Sequence, residues 1–148
     1  MGGSERRTMN TTQLLSMIKR TNSFSKVDKA LHESVDPTEF CHYLYQLMSQ
    51  HGLKPKDVIS GTELERSYFY HILSGNKLPS RNVVLRIGLS LGATLNEVNR
   101  LLLLAAQGAL YPKVRRDAAI IYCIEHKYTM KYANDFLKKI GEQPMYKE

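Results

Sequence analysis

Apolar residues recur along the chain at three- and four-residue spacings, and the strict alternation that marks a strand is nearly absent. Phe40, Tyr43, Leu44, Leu47 and Met48 fall at i, i+3, i+4, i+7 and i+8, one stripe of a helix. Asp36-Pro37-Thr38-Glu39 marks its start with a capping residue, a proline and an acid, and Gly52 marks its end. Two short helices follow, from Lys54-Pro55 to about Ser60 and over Glu65–Leu73, joined by Gly61–Leu64. Pro79-Ser80 opens the next, with Val83, Val84, Ile87 and Leu91 inward and Gly92 closing it. Thr94-Leu95-Asn96-Glu97 has the capping-box pattern, and its helix runs through Leu101–Leu104 to about Gln107. That leucine run is apolar nearly all round, so it should face the C-terminal helices or a dimer seam. Beyond Gly108 a helix is expected over roughly Val114–His126, then one from Thr129 to Gly141, then an extended tail over 142–148.

Upstream, Thr11–Arg20 and Ser25–Ser34 carry helical spacing, while 1–10 is polar and reads as a disordered leader. The expectation is an all-α chain of about nine helices in four parts. These are the leader over 1–10, an N-terminal helical extension over 11–36, a central domain over 37–107, and a C-terminal helical pair with its tail over 108–148.

The two short helices carry the functional signal. Each is too short to be stable alone, so its neighbours must hold it. Two such helices joined by a tight turn match the helix-turn-helix motif, whose second helix lies in the major groove of DNA. Within Glu65–Leu73, Tyr68, Phe69 and Ile72 form an apolar stripe, extended by Leu64. Ser67, Tyr70, His71 and Ser74 form the opposite face, with Arg66 beside them. Locally, Thr62-Glu63-Leu64-Glu65 also reads as a capping box, which would start the second helix two or three residues earlier.

The net charge of +7 and a pI near 9.4 hint at a polyanionic partner. The cations are spread out, however: six against four anions up to residue 36, seven against five over 37–102, and eight against five beyond. No apolar run approaches the roughly 20 residues of a membrane span, and there is no charged-then-apolar leader. Cys41 and Cys123 lie far apart, which fits buried thiols in a reducing cytoplasm. Cys123 and His126 make a lone C-x-x-H pair, short of the four ligands a zinc site needs. No nucleophile–base arrangement or Gly-rich phosphate loop stands out, so neither an enzyme nor a cofactor is expected.

Residues 37–102 resemble the Cro/phage-repressor (XRE-type) helix-turn-helix family. Leu53 and Val58 fall on its helix 2 apolar positions, Leu64 on the one after the turn, and Phe69 and Ile72 on the recognition-helix core. Ser74-Gly75-Asn76-Lys77-Leu78-Pro79-Ser80 resembles the family's NGK…PS exit. Leu85, Leu89-Ser90-Leu91-Gly92 and Leu95-Asn96-Glu97-Val98 resemble its helix 4 and 5 run. The segment from Gly108-Ala109-Leu110-Tyr111-Pro112 to Arg115-Arg116-Asp117-Ala118 is similar, more loosely, to a bacterial subset with extra N- and C-terminal helices. The chain departs from the pattern at Ile59, where the family usually has Ala, at Glu63, where it has Gly, and at Pro55, where a phosphate-holding Gln is frequent. A left-handed backbone at Glu63 would carry a steric cost.

The resemblance implies a lambda-repressor-like five-helix domain that binds double-stranded DNA as a homodimeric transcriptional regulator in the cytoplasm, associated with the nucleoid. Arg66, Ser67, Tyr70 and His71 would then read bases, Arg66 by gripping guanine or a phosphate and Tyr70 by meeting a phosphate or a thymine methyl. Lys54, Lys56, Ser74, Asn76, Lys77 and Arg81 would hold phosphates. Lys113, Arg115 and Arg116 crowd a helix N-terminus against its dipole. An intersubunit salt bridge, a second DNA contact, or solvation with pairing to Asp117 would account for them. Two other readings are an antitoxin-like protein-interaction module on the same fold, with a protein partner on the C-terminal helices, and an all-α scaffold without DNA binding, which the even charge and Glu63 would fit.

Overall fold

Short side-chain caps divide this chain into helices. In the computed structural model, Asn10 accepts from the Gln13 N–H at 2.8 Å while Gln13 accepts from the Asn10 N–H at 3.1 Å. Thr94 and Glu97 form the same reciprocal pair, at 3.2 and 2.9 Å. Ser80 and Thr129 each accept from the backbone three residues on. The structure describes residues 9–34 and 36–147, except for the side chains of residues 32–34. Among these residues there are nine α-helices and no strand. None of the helices is long and apolar enough to cross a membrane.

The chain forms two compact units, up to Asp36 and from Pro37 onward. The first holds α1 (Thr11–Arg20) and α2 (Phe24–Ser34), packed on each other. Among its described residues Val27 and Ala30, both on α2, are buried. The leader expected over 1–10 falls outside the described residues for 1–8, and Asn10 is not disordered but caps α1.

The second unit holds α3 (Pro37–Gln50), α4 (Pro55–Thr62), α5 (Arg66–Leu73), α6 (Arg81–Leu91), α7 (Leu95–Leu104), α8 (Arg115–Glu125) and α9 (Met130–Lys139). Its core takes Phe40, Leu44 and Leu47 from α3, Phe69 and Ile72 from α5, and Leu101 and Leu102 from α7. Ile120 and Leu137 of the C-terminal pair join the same cluster, so α8 and α9 help to enclose this core. Within the leucine run Leu101 and Leu102 are buried, whereas Leu103 is 62% exposed.

α6 is the hub, packed against α4, α7 and α9. Val84, Ile87 and Leu91 are buried as expected, Val83 is half-buried, and Leu85 and Leu89 are buried as well, while Asn82, Arg86 and Ser90 form an i, i+4, i+8 polar stripe that also points inward. Asn82 accepts from Arg116 at 2.8 Å, Arg86 donates to the Thr62 carbonyl at 2.9 Å, and Ser90 donates to the Val58 carbonyl at 3.4 Å. Each satisfies a group on a neighbouring element.

The tail is not extended away from the body. Asn134, fully buried, accepts from the N–H groups of Met145 and Tyr146 at 2.6 and 3.3 Å and donates to the Tyr146 carbonyl at 3.1 Å. Met145 thereby reaches the core at 3% exposure. The basic start of α8 serves this same tail. Arg115 donates to the Ile140 carbonyl just past α9 and to Glu142, and Arg116 donates to the Gln143 carbonyl at 2.9 Å. Cations that oppose the α8 dipole thus complement the C-terminus of α9. Asp117 pairs with Arg81 instead of with these arginines.

α6 and α7 cross closely: a Cβ at Gly88 would lie 2.9 Å from Cγ2 of Val98, itself fully buried. Helix propensity alone favours Gly88→Ala by about 1 kcal/mol. Overpacking against a stiff β-branched side chain costs about 1–3 kcal/mol. Gly88→Ala is therefore expected to lower stability in urea denaturation, and a gain would contradict this packing.

The turn just past α3 is tied to α7 by His51 Nε2 and Glu97 Oε1 at 3.1 Å. Burial raises the Glu97 pKa, but hydrogen bonds from Thr94 and the His51 contact outweigh it and leave a net lowering. A lowered folded-state pKa gives stability that is present above the unfolded carboxylate range and lost as the pH falls through the folded value. Glu97→Gln should accordingly flatten the acid side of a stability–pH profile and leave the alkaline side unchanged.

Candidate nucleic-acid interface

Eight-residue α4 and α5 are joined by Glu63, Leu64 and Glu65. Glu63 adopts the left-handed conformation, φ 56° and ψ 25°, at the end of α4. Two groups hold it there. The Thr62 hydroxyl, fully buried, donates to the Ile59 carbonyl and accepts from the Leu64 N–H, each at 3.2 Å. The Thr62 carbonyl in turn receives Nε and Nη2 of Arg86 at 3.2 and 2.9 Å.

Arg86 also lies over the Tyr146 ring, 4.6 Å from its centroid. Burial pulls its guanidinium pKa below the ordinary value, partly offset by Tyr146 and Glu63. The capping-box reading of Thr62–Glu65 is therefore incorrect. Thr62 ends α4, Glu65 is the N-cap of α5 without a side-chain hydrogen bond, and α5 begins at Arg66.

This geometry gives α5 two distinct sides. Phe69 and Ile72 are fully buried, and Leu73 is buried beside them. Arg66, Ser67, Tyr70, His71 and Ser74 are exposed together, as their spacing requires. The Arg66 guanidinium sits 5.5 Å from the Tyr70 ring centroid rather than on Glu63 or Asp57. Tyr68 is half-buried rather than core, with Nζ of Lys77 5.0 Å from its ring centroid.

The flanks divide. Lys54, Lys56, Asn76 and Lys77 are exposed around α5, although the Asp57 carboxylate already accepts from the Lys54 N–H at 2.9 Å. Gly75 turns the chain out of α5 at φ 78°, and a Cβ there would meet Thr38 at 3.2 Å. Ser74 donates its proton to the His71 carbonyl at 2.8 Å, and a hydroxyl so engaged has none left for a phosphate oxygen.

Arg81 corrects the expectation more strongly. It donates to the Gly108 carbonyl and lies 3.0 Å from Asp117, whose other contact is the Tyr111 N–H at 2.9 Å. Arg81 therefore fastens α6 to the segment before α8. A buried carboxylate holds it there.

Cys123 is fully buried, and burial pushes its thiol pKa up to about 11. His126 is exposed, with Nδ1 2.8 Å from the Tyr122 carbonyl, so the C-x-x-H pair does not converge. No group of three or more His, Cys, Asp or Glu that could hold a metal occurs among the described residues.

Thr62 and Arg86 were not singled out from the sequence as residues that place the site. The available signal was the polar spacing of Asn82, Arg86 and Ser90 inside an apolar helix. No family model, curated protein or solved structure matches the chain.

Removing the Thr62 hydroxyl with Thr62→Val leaves the buried Leu64 N–H unpaired, at a cost of about 1–3 kcal/mol. Glu63→Gly relieves the left-handed strain and should stabilise by about 0.5–1 kcal/mol. Opposite signs are expected in thermal unfolding, and like signs would contradict this account of the turn.

Proposed function

We propose that the chain is a sequence-specific regulator that binds double-stranded DNA, placing α5 in the major groove. The observation that carries this reading is α5 itself, a helix with one face in the core and the other lined by exposed hydrogen-bonding side chains. The resemblance to XRE-type helix-turn-helix proteins agrees with it, with the lambda-repressor-like arrangement over 37–107 as part of the proposal. In this account Arg66, Ser67, Tyr70 and His71 meet base edges. Lys54, Lys56, Asn76 and Lys77 meet phosphates, with the uncapped N–H groups at the start of α5. Arg81 has no part in it. Two copies on paired half-sites complete the reading, since one short helix spans only a few base pairs.

Selection of bound duplexes from a random pool tests this directly. The expected product is a pair of short half-sites at a fixed spacing. Arg66→Ala should relax the preference at one position per half-site, at about 1–3 kcal/mol. Lys77→Ala should weaken all sequences alike and reduce the slope of log affinity against log salt by about one per copy. Failure to enrich any sequence, with affinity insensitive to salt, would remove the proposal.

A further inference from the structure

The α8–α9 hairpin carries an aromatic group that the proposed DNA face does not use. Tyr122 stacks on His126, at 3.9 Å between centroids, and on Phe136, at 5.7 Å. Tyr128 meets Tyr132 edge-on at 4.6 Å. Tyr122 and Tyr132 are nevertheless 45% and 58% exposed. Beside them lies a cleft of about 220 Å³ lined by Tyr132, Asp135, Phe136 and Lys139. Rings that brace one another lose little freedom when a ligand arrives, and tyrosines in such settings supply much of the energy of protein interfaces.

The surrounding charge selects the ligand. Lys131, Lys138 and Lys139 are exposed on α9 against Asp135 alone. A second copy offering the same face would bring three lysines and one aspartate against the same set across a two-fold axis, a surplus of like charge on both sides. Single-stranded nucleic acid would suit the charge, but base stacking needs open ring faces, and the Tyr122 ring already stacks on His126 and Phe136. The cleft is sized for one side chain.

We propose that this face binds an acidic peptide segment of a partner protein. One aromatic or branched aliphatic side chain of the segment enters the cleft beside Tyr132 and Phe136, and its carboxylates lie against Lys139 and the neighbouring α9 lysines. The proposal is independent of the DNA reading.

The test is selection from a displayed random-peptide library on the full chain, followed by fluorescence polarisation with a labelled enriched peptide. Enriched peptides should share one apolar anchor flanked by Asp or Glu. Tyr132→Ala, at an exposed position, should weaken binding about tenfold with an unchanged circular dichroism spectrum. Lys139→Glu should weaken it and shift selection away from acidic flanks. Lack of enrichment, enriched peptides without acidic flanks, or equal binding to Tyr132→Ala would overturn the proposal. So would displacement of the peptide by oligothymidylate, or a concentration-dependent dimer that Tyr132→Ala abolishes, since these assign the face to nucleic acid or to a second copy.

Discussion

The turn between α4 and α5 depends on one fully buried hydroxyl. Thr62 closes the last turn of α4 with its proton and takes the Leu64 N–H with its lone pair, while its carbonyl is capped by Arg86 from α6. With those groups satisfied, Glu63 can hold a left-handed backbone and Leu64 can turn into the core at 8% exposure. The direction of α5, and hence which of its side chains meet solvent, follows from that reversal. A helix of eight residues has no independent stability with which to choose its own direction.

The same logic explains which parts of the structure were legible in the sequence. Helix positions, the two faces of α5 and the exits at Gly75 and Gly92 rest on local spacing and capping, which a sequence displays directly. Thr62 misled because its local pattern fits a capping box, yet burial of Leu64 and the cap from Arg86 favour ending α4 there. Arg81, Arg115 and Arg116 misled for a related reason. A cation on a helix reads as solvent-facing, and only the fold brings Asp117, the Ile140 carbonyl and the Gln143 carbonyl within reach of them. The tail reads as extended because its anchor, Asn134, lies eleven residues before Met145 on another element.

These internal uses of arginine change the electrostatic picture. A net charge of +7 suggests a broadly basic surface. Arg81 and Arg115 are paired with Asp117 and Glu142, so they add less to an external field than their number implies, while Arg86 and Arg116 keep their charge but direct it at the chain's own carbonyls. What remains near α5 is a small set, Arg66 with Lys54, Lys56 and Lys77, next to the acids Glu63 and Glu65. Recognition there would depend on hydrogen-bond geometry more than on bulk attraction, whereas the aromatic hairpin would select its ligand by charge as well as by shape.

The most direct measurement is a nuclear magnetic resonance titration of the isotopically labelled chain with a short duplex at low salt, following every backbone amide. The account predicts that the amides of Arg66, Ser67, Tyr70 and His71 shift first and furthest, with Asn76 and Lys77 following and the α8–α9 hairpin unaffected. Shifts absent from α5, or confined to other elements, would contradict it.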